Sequence, residues 1–305
     1  NKSQYNKIKK YVISGEKVHM TRKELFIREQ AALSAYRDND IDRGVDYIVQ
    51  LLDRNKEMKF YRFRPARQHE IDAIENAQIY LCRPKIYEDT GDCKWIDDLE
   101  ALVEYDVKIR SEEKYRRFSR LFSPELYEQV AEQLKSNPKY IQMQDKVRNM
   151  CLVACITDRM NNFMWENYAE NNTGICLEYD VEDVLTAISK EDLRFFPIWY
   201  VEDRNKVKDI QFGPEEYAEE APEERMRDKY ILSCLTKNKV PYSSESEWRV
   251  LCERTTIPET ENGKLYDFIR PSTIYLGKNI SDNVWFEEGV RNVADKYKIP
   301  FLEQK

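Results

Sequence analysis

The sequence predicts an α+β fold: a mixed sheet flanked by helices, with a helical appendage at the N-terminus. Three observations lead there. Apolar residues recur at helical spacing through residues 1 to about 56. From residue 59 onward, short alternating or fully apolar runs are bounded by turn residues, as strands are. Charged helical patterns lie between and beside those runs.

Composition bounds the function. The chain has 305 residues, with 56 Asp and Glu against 49 Lys and Arg, for a net charge of -7. This balance disfavours a protein whose main task is to track a nucleic-acid backbone. The mean hydropathy is -0.77, yet 20 Tyr, 12 Phe and 5 Trp supply large core side chains, which argues for a soluble globular protein over a disordered one. No apolar run approaches the roughly 18 residues of a membrane span, and no charged-then-apolar leader is seen, so the expectation is a cytoplasmic protein with no membrane partner. Seven cysteines, an odd number without a Cys-x-x-Cys pair, mostly sit in apolar runs and suit reduced thiols. With only His19 and His69 present, neither a His-rich zinc site nor a Ser-His-Asp hydrolase is expected, and no metal is predicted.

The elements follow in order. Residues 1–57 form the helical appendage: Leu25, Ala32, Ala35 and Tyr36 mark one helix, and Asp40 or Asp42 caps a second bearing Val45, Ile48, Val49 and Leu52. Residues 58–305 form the α+β domain. It opens with a strand at Lys59 to Arg64, where Tyr61 and Phe63 alternate with Arg62 and Arg64 before Pro65. A short helix with Ile71 and Ile74 and a strand through Ile79 to Leu81 come next, then a loop from Arg83 to Asp92. Within it, Glu88, Asp89 and Asp92 lack the periodicity of a calcium loop and read as a solvated acidic segment. A charged helical insertion spans about 95–149, with Pro124 and Pro138 near helix starts. Cys151 to Thr157 is apolar on both faces, as in a central strand. A short helix with Met164, Trp165 and Tyr168 leads to a strand at Ile175 to Tyr179. Beyond it lie a helix at 181–190, an aromatic strand from Phe195 to Val201 and a long charged helix at 214–239. The strand containing Glu245 is followed by strands at 264–269 and 273–276, a helix at 282–297 and a tail strand.

Two stretches carry polar chemistry. Tyr242 to Leu251 sets Glu245, Glu247 and Arg249 on one face of a strand and Ser246, Trp248 and Val250 on the other. The apolar set can bury; the charged set is either a salt-bridged face or a polar site. Arg62 and Arg64 pose the same choice, between a fork for phosphate or carboxylate and an ion-pair ladder. In the second stretch, Asp158 to Gly174, Trp165 and Tyr168 lie i,i+3 on one helical face. They are placed to stack on a planar ligand, with Asn167 offering a donor and an acceptor, or to serve as core beside helix-ending asparagines. No Gly-x-x-x-x-Gly-Lys or Gly-x-Gly-x-x-Gly pattern is present, which argues against a standard nucleotide loop.

Four blocks in order resemble a large bacterial family without an assigned activity: Phe60 to Arg64; Asp89 to Cys93; Met164 to Tyr179; and Lys237 or Lys239 with Glu245 to Arg249. That family occurs in mobile and phage-defence contexts. The same order of an early arginine, a polar aromatic middle and a late Glu-x-Glu is similar to ADP-ribosyltransferases of the Arg–Ser–Glu-x-Glu type. That likeness implies NAD as substrate, with Arg62 or Arg64 on its phosphates and Tyr168 stacked on nicotinamide. It further implies Glu247 on the ribose hydroxyl and Glu245 orienting or deprotonating a protein or nucleic-acid acceptor. The expectation is an NAD-consuming effector of a phage-defence or toxin system; the alternative is a non-catalytic ligand-sensing or protein-interaction module of a defence system. A nuclease is a weaker third reading, because no Asp/Glu-x-Lys pattern is evident.

Overall fold

The computed structural model describes residues 22–38, 40–87, 92–110, 128–129, 132–133, 136–217 and 223–304. Expectations for residues 1–21, for Glu88 and Asp89, and for 111–127 of the insertion lie outside the described residues. The fold is α+β, as the sequence predicts.

Helices α1 (Arg22–Arg37) and α2 (Ile41–Asp53) form the antiparallel N-terminal pair. Asp40 is the cap of α2, its carboxylate accepting from the Arg43 amide. Both helices pack against the strand at one edge of the main sheet, and Ala32, Leu33, Ile48, Leu51 and Leu52 join the same core as the sheet. Strand β1 (Lys59–Arg64), helix α3 (Gln68–Glu75) and strand β2 (Gln78–Cys82) follow. After β3 (Ile96–Asp97), α4 (Leu99–Arg110) and α5 (Pro138–Met150) comes the central strand β4 (Leu152–Thr157). Helix α6 (Asn162–Tyr168) then leads to β5 (Ile175–Asp180) and α7 (Val181–Lys190). Asn161 caps α6 by accepting from the Met164 amide. The chain leaves α6 through Glu170, Asn171 and Asn172, three successive residues with positive φ, so these asparagines serve the turn.

Phe195 to Val201 is two strands: β6 (Arg194–Pro197) on the main sheet and β7 (Trp199–Val201) in a separate pair. After β8 (Gln211–Phe212), the long helix expected at 214–239 is helical at Pro214–Tyr217 and from Glu223, with 218–222 outside the described residues, and it ends early. Helix α8 (Glu223–Cys234) ends, and Thr236–Asn238 becomes β9, pairing in parallel with β7. The helical charge pattern gives way here because the Leu235 carbonyl accepts from the Trp199 amide, drawing the chain alongside β7. Strand β10 (Glu247–Cys252), β11 (Gly263–Asp267), β12 (Thr273–Leu276), helix α9 (Val284–Tyr297) and β13 (Phe301–Glu303) complete the chain.

The main sheet has nine strands. β10 pairs with β4 along its whole length, from Glu247 opposite Thr157 to Cys252 opposite Leu152. A strand has only two edges, so β1 and β2 share the other one. β1 meets β4 at Tyr61–Thr157 and β2 meets it at Cys82–Val153. The sheet therefore forks along β4. Trp248 fills one face with Phe60 and Phe195, edge-on to Phe60 at 5.2 Å.

Gly174 ends the turn after α6 where the backbones nearly touch: a Cβ there would lie 2.1 Å from the Arg64 carbonyl oxygen. Gly174→Ala must push β1 away from β5, and overpacking of this kind costs about 1–3 kcal/mol. Chemical denaturation is expected to show that loss; an unchanged midpoint would contradict the packing described.

Candidate functional site

The charged residues of β10 and β9 meet on the face of the sheet opposite the Trp248 core. Lys237 arrives on β9, 7 % exposed, with its ammonium 4.6 Å from the centre of the Tyr242 ring. Glu245 does not lie on a strand. It closes a 3₁₀ turn, and Ser246 after it has a left-handed backbone with φ of 45°, so β10 starts only at Glu247. Three bonds pin this turn. The Thr157 hydroxyl donates to the Glu245 carbonyl at 2.5 Å, the Asn161 amide to the Ser244 carbonyl at 2.9 Å, and the Asp158 backbone to the Ser246 carbonyl at 3.3 Å.

From this frame a buried ionic chain runs through the protein. The Lys237 Nζ donates to Glu245 Oε2 at 2.7 Å and to Glu247 Oε2 at 2.9 Å. Arg249, fully buried, donates through Nε to Glu247 Oε1 at 2.6 Å, through one terminal nitrogen to Asp92 Oδ2 at 2.5 Å, and through the other to Cys93 Sγ and the Cys234 carbonyl. The Glu247 backbone amide donates to the Tyr200 hydroxyl at 3.0 Å. At the outer end, the Tyr168 hydroxyl donates to Glu245 Oε1 at 2.5 Å while its ring stays 40 % exposed.

Three carboxylates (Asp92, Glu245, Glu247) thus face two cations (Lys237, Arg249), and the ionisation follows. Burial works against the charge of Glu247, yet Arg249 and then Lys237 outweigh it and hold the carboxyl well below the usual range. Burial also works against Lys237, but Glu247, Asp92 and Glu245 hold its ammonium above the ordinary lysine range. Glu245 goes the other way: burial pushes its carboxyl up, the Glu247 charge adds to this, and Lys237 only partly opposes it. Burial and the Glu245 charge keep the Tyr168 phenol protonated far above its ordinary range. The arrangement supplies one carboxyl that is readily protonated, bonded to an open aromatic ring, beside one that is locked as an anion.

The residues singled out in the sequence divide accordingly. Glu245, Glu247 and Tyr168 come together, and Arg249 is the partner of Glu247. Arg62 and Arg64 do not join them. Tyr61, one residue away, is opposite Thr157, which is opposite Glu247, so strand alternation sends Arg62 and Arg64 to the other face. Trp165 is buried edge-on to Phe63 at 5.1 Å, leaving its ring no open side for a ligand. Asn167 is exposed and donates to the Phe163 carbonyl of its own helix.

Two participants were missed. Asp92 was read as part of a solvated acidic segment; its carboxylate is buried against Arg249, and the lone legible signal was the acid–Cys pairing of the family block. Arg159 carries no motif. It follows Thr157 and Asp158; its backbone donates to the same Thr157 hydroxyl that holds the Glu245 carbonyl, and its half-exposed side chain lies against Asp158 at 3.7 Å. β4 itself departs from the fully buried strand expected: at the fork Cys155 is exposed, the only exposed residue of the strand. Its thiol lies 3.8 Å from the Tyr87 hydroxyl. Lost hydration and the nearby Glu247 carboxylate push its pKa well above the thiol range. Among the described residues, no group of three or more His, Cys, Asp or Glu is arranged to hold a metal, and no helix is long and apolar enough to cross a membrane.

Residues 164–250 match a family model described as "Protein of unknown function (DUF2971)". The match runs from α6 to β10 and so takes in Tyr168, Lys237, Glu245, Glu247 and Arg249. Comparison with curated proteins and comparison with solved structures each gave no match.

Removing one partner of a buried pair leaves a bare charge, at a cost of about 3–5 kcal/mol. Arg249→Met is expected to lose that much in urea denaturation, and the double variant Glu247→Leu/Arg249→Met to lose less than the two single changes summed; strict additivity would argue against the pair. Because the folded pKa of Glu247 is depressed, its contribution is present above the ordinary carboxylate value of about 4.3 and fades as pH falls through and below it. Glu247→Gln should therefore flatten the loss of stability between pH 6 and pH 3, read from unfolding midpoints across that window.

Proposed function

We propose that the chain is an NAD-consuming, ADP-ribosyltransferase-like effector, acting in phage defence or a toxin system, whose working carboxylate is Glu245. The observation that carries this reading is the bond from the exposed Tyr168 to Glu245, itself backed by the buried Lys237. An open ring beside a carboxylate suits a nicotinamide ribose: the ring stacks, and the carboxylate takes a ribose hydroxyl and balances the positive charge that develops as the glycosidic bond breaks. Glu247 has both oxygens engaged by Lys237 and Arg249, so in this reading it positions Lys237 and leaves the ribose to Glu245. With Arg62 and Arg64 on the far face, this reading assigns the NAD phosphates to Arg159, whose backbone meets the Thr157 hydroxyl under the Glu245 turn and whose half-exposed side chain leans on Asp158.

A second reading rests on the closure of the same network. Glu247, Arg249 and Asp92 have side chains nine-tenths or more buried and are tied together through Arg249, as a rigid support for a non-catalytic ligand-sensing module would be. Here Tyr168 and Glu245 bind a ligand without turning it over.

Purified protein incubated with NAD and cell lysate distinguishes the two. The proposal expects nicotinamide release or label transfer, reduced by about 100-fold or more in Glu245→Gln, as for loss of one transition-state contact. Arg159→Met should raise KM more than it lowers kcat. Glu245 must be ionised to act, and its pKa is raised, so activity should fall on the acid side above the usual carboxylate range. Absence of any NAD turnover, combined with a ligand-induced thermal shift that Glu245→Gln removes, would leave the sensing module.

A further inference from the structure

The far face of the sheet holds a second concentration of charge with a different character. Arg62 is 7 % exposed, and its guanidinium makes no hydrogen bond or ion pair with a described residue; Nε is buried without an acceptor. Arg64, two residues on and therefore on the same face, binds Glu70 through one terminal nitrogen but leaves its own buried Nε without an acceptor. Across the ladder, β5 sets Leu177 opposite Arg62 and Tyr179 opposite Phe60, so Tyr179 projects from the same face, one step along. Tyr179 is 3 % exposed, its ring edge-on to Phe268, and its hydroxyl makes no hydrogen bond to a described residue. Arg62, Arg64, Tyr179 and Glu70 all lie close enough to influence one another's ionisation.

The balance is lopsided. One carboxylate, Glu70, serves two guanidiniums, and it is already bound by Arg64 and approached by His69 at 3.1 Å. A buried guanidinium that shares its only carboxylate with a second arginine, and whose own donors lack an acceptor, is costly to hold in the fold. Burial lowers the Arg62 pKa, and the Arg64 charge lowers it further, in keeping with a cation that lacks its anion. The way in passes Arg64, whose side chain is 28 % exposed.

We propose that Arg62, Arg64 and the Tyr179 hydroxyl form an oxyanion site on the β1–β5 face, and that its ligand is a phosphoryl group. Three donor groups project from one face of the ladder, near enough to feel one another's charge, and together they match the acceptor oxygens of a tetrahedral oxyanion. The site lies on the opposite face from Glu245, so it does not depend on NAD turnover, and its failure would leave that reading untouched. The phosphoryl group comes either as free phosphate or carried on a nucleotide; both share the chemistry, and two probes separate them.

The test is thermal unfolding of the full chain at constant ionic strength, in chloride, in inorganic phosphate and in ADP-ribose. The wild-type melting temperature should rise with phosphate concentration. Tyr179→Phe should weaken the phosphate Kd several-fold, and Arg62→Met should abolish the response. Arg62→Met should also melt no lower than wild type in chloride, because it removes an unpaired charge; a guanidinium that merely braces the fold would instead make that variant less stable. A half-effect at far lower ADP-ribose than phosphate, lost in Arg62→Met and kept in Glu245→Gln, marks a carried phosphoryl group at this site, and an equal or weaker Arg62-dependent response marks the free ion. A wild-type melting temperature indifferent to both probes, or a phosphate response that survives in Arg62→Met, overturns the site; should Arg62→Met fail to fold, a Tyr179→Phe response identical to wild type does the same.

Discussion

The Lys237 ammonium is the point on which the polar half of this structure turns. It is buried, it bonds two carboxylates at once, and it arrives on a three-residue strand whose parallel pairing with Trp199–Val201 fixes its position. Without it, Glu245 and Glu247 would be two buried like charges with one cation, Arg249, that reaches only Glu247. With it, the charge is divided unequally: Glu247 sits between Lys237 and Arg249 and is held ionised, while Glu245 keeps one oxygen for Tyr168 and is the group that can gain or lose a proton. A single shared cation thus separates two neighbouring carboxyls into a support and a reactive group, the pattern by which acid and base roles are assigned in polar sites.

The sheet decides what can reach that pair. Alternation along β1 and β10 sends Glu247 and Arg249 to one face and Arg62, Arg64 and Trp248 to the other. The aromatic core of Phe60, Phe195 and Trp248 therefore shares its side with two arginines, while the Glu245 turn shares its side with α6. The forking of β1 and β2 along one edge of β4 leaves Cys155 open to solvent in the middle of an otherwise buried strand. One sheet thereby presents two polar regions of opposite sign, an acid-rich one with an open ring and an arginine-rich one with a single carboxylate, Glu70, for two guanidiniums.

How far this could be read from the residues depends on the interaction involved. Trp248 between two charged neighbours is a period-two signal, and its burial follows from alternation alone. The helix starts at Asp40 and Asn161 follow from local capping chemistry, although Asp42 competed for the first on sequence grounds. Glu245 was placed on the strand because nothing in Ser-Glu-Ser-Glu announces the left-handed backbone of Ser246; the kink is imposed by bonds to Thr157, Asp158 and Asn161, which are about 80 or more residues away in sequence. Lys237 sat inside what read as a continuous charged helix, and only tertiary pairing with β7 turns it into a strand. Asp92 was hidden for a similar reason: an acidic loop looks solvated until the buried arginine it meets is known. The direction of Arg62 and Arg64 was legible in relative terms, since both share a face, but the register of β1 against β4 that separates them from Glu247 was not.

The pivotal assignment is Glu245 as the protonatable member of the Lys237-bridged pair. It is tested most directly by a carboxyl-carbon NMR titration of glutamate-labelled protein, with Glu245 and Glu247 assigned by their loss in Glu245→Gln and Glu247→Gln. Glu245 is expected to titrate above the ordinary glutamate value of about 4.3, while Glu247 stays ionised well below it. Two carboxyls titrating together near that ordinary value, or Glu247 as the higher of the two, would contradict it.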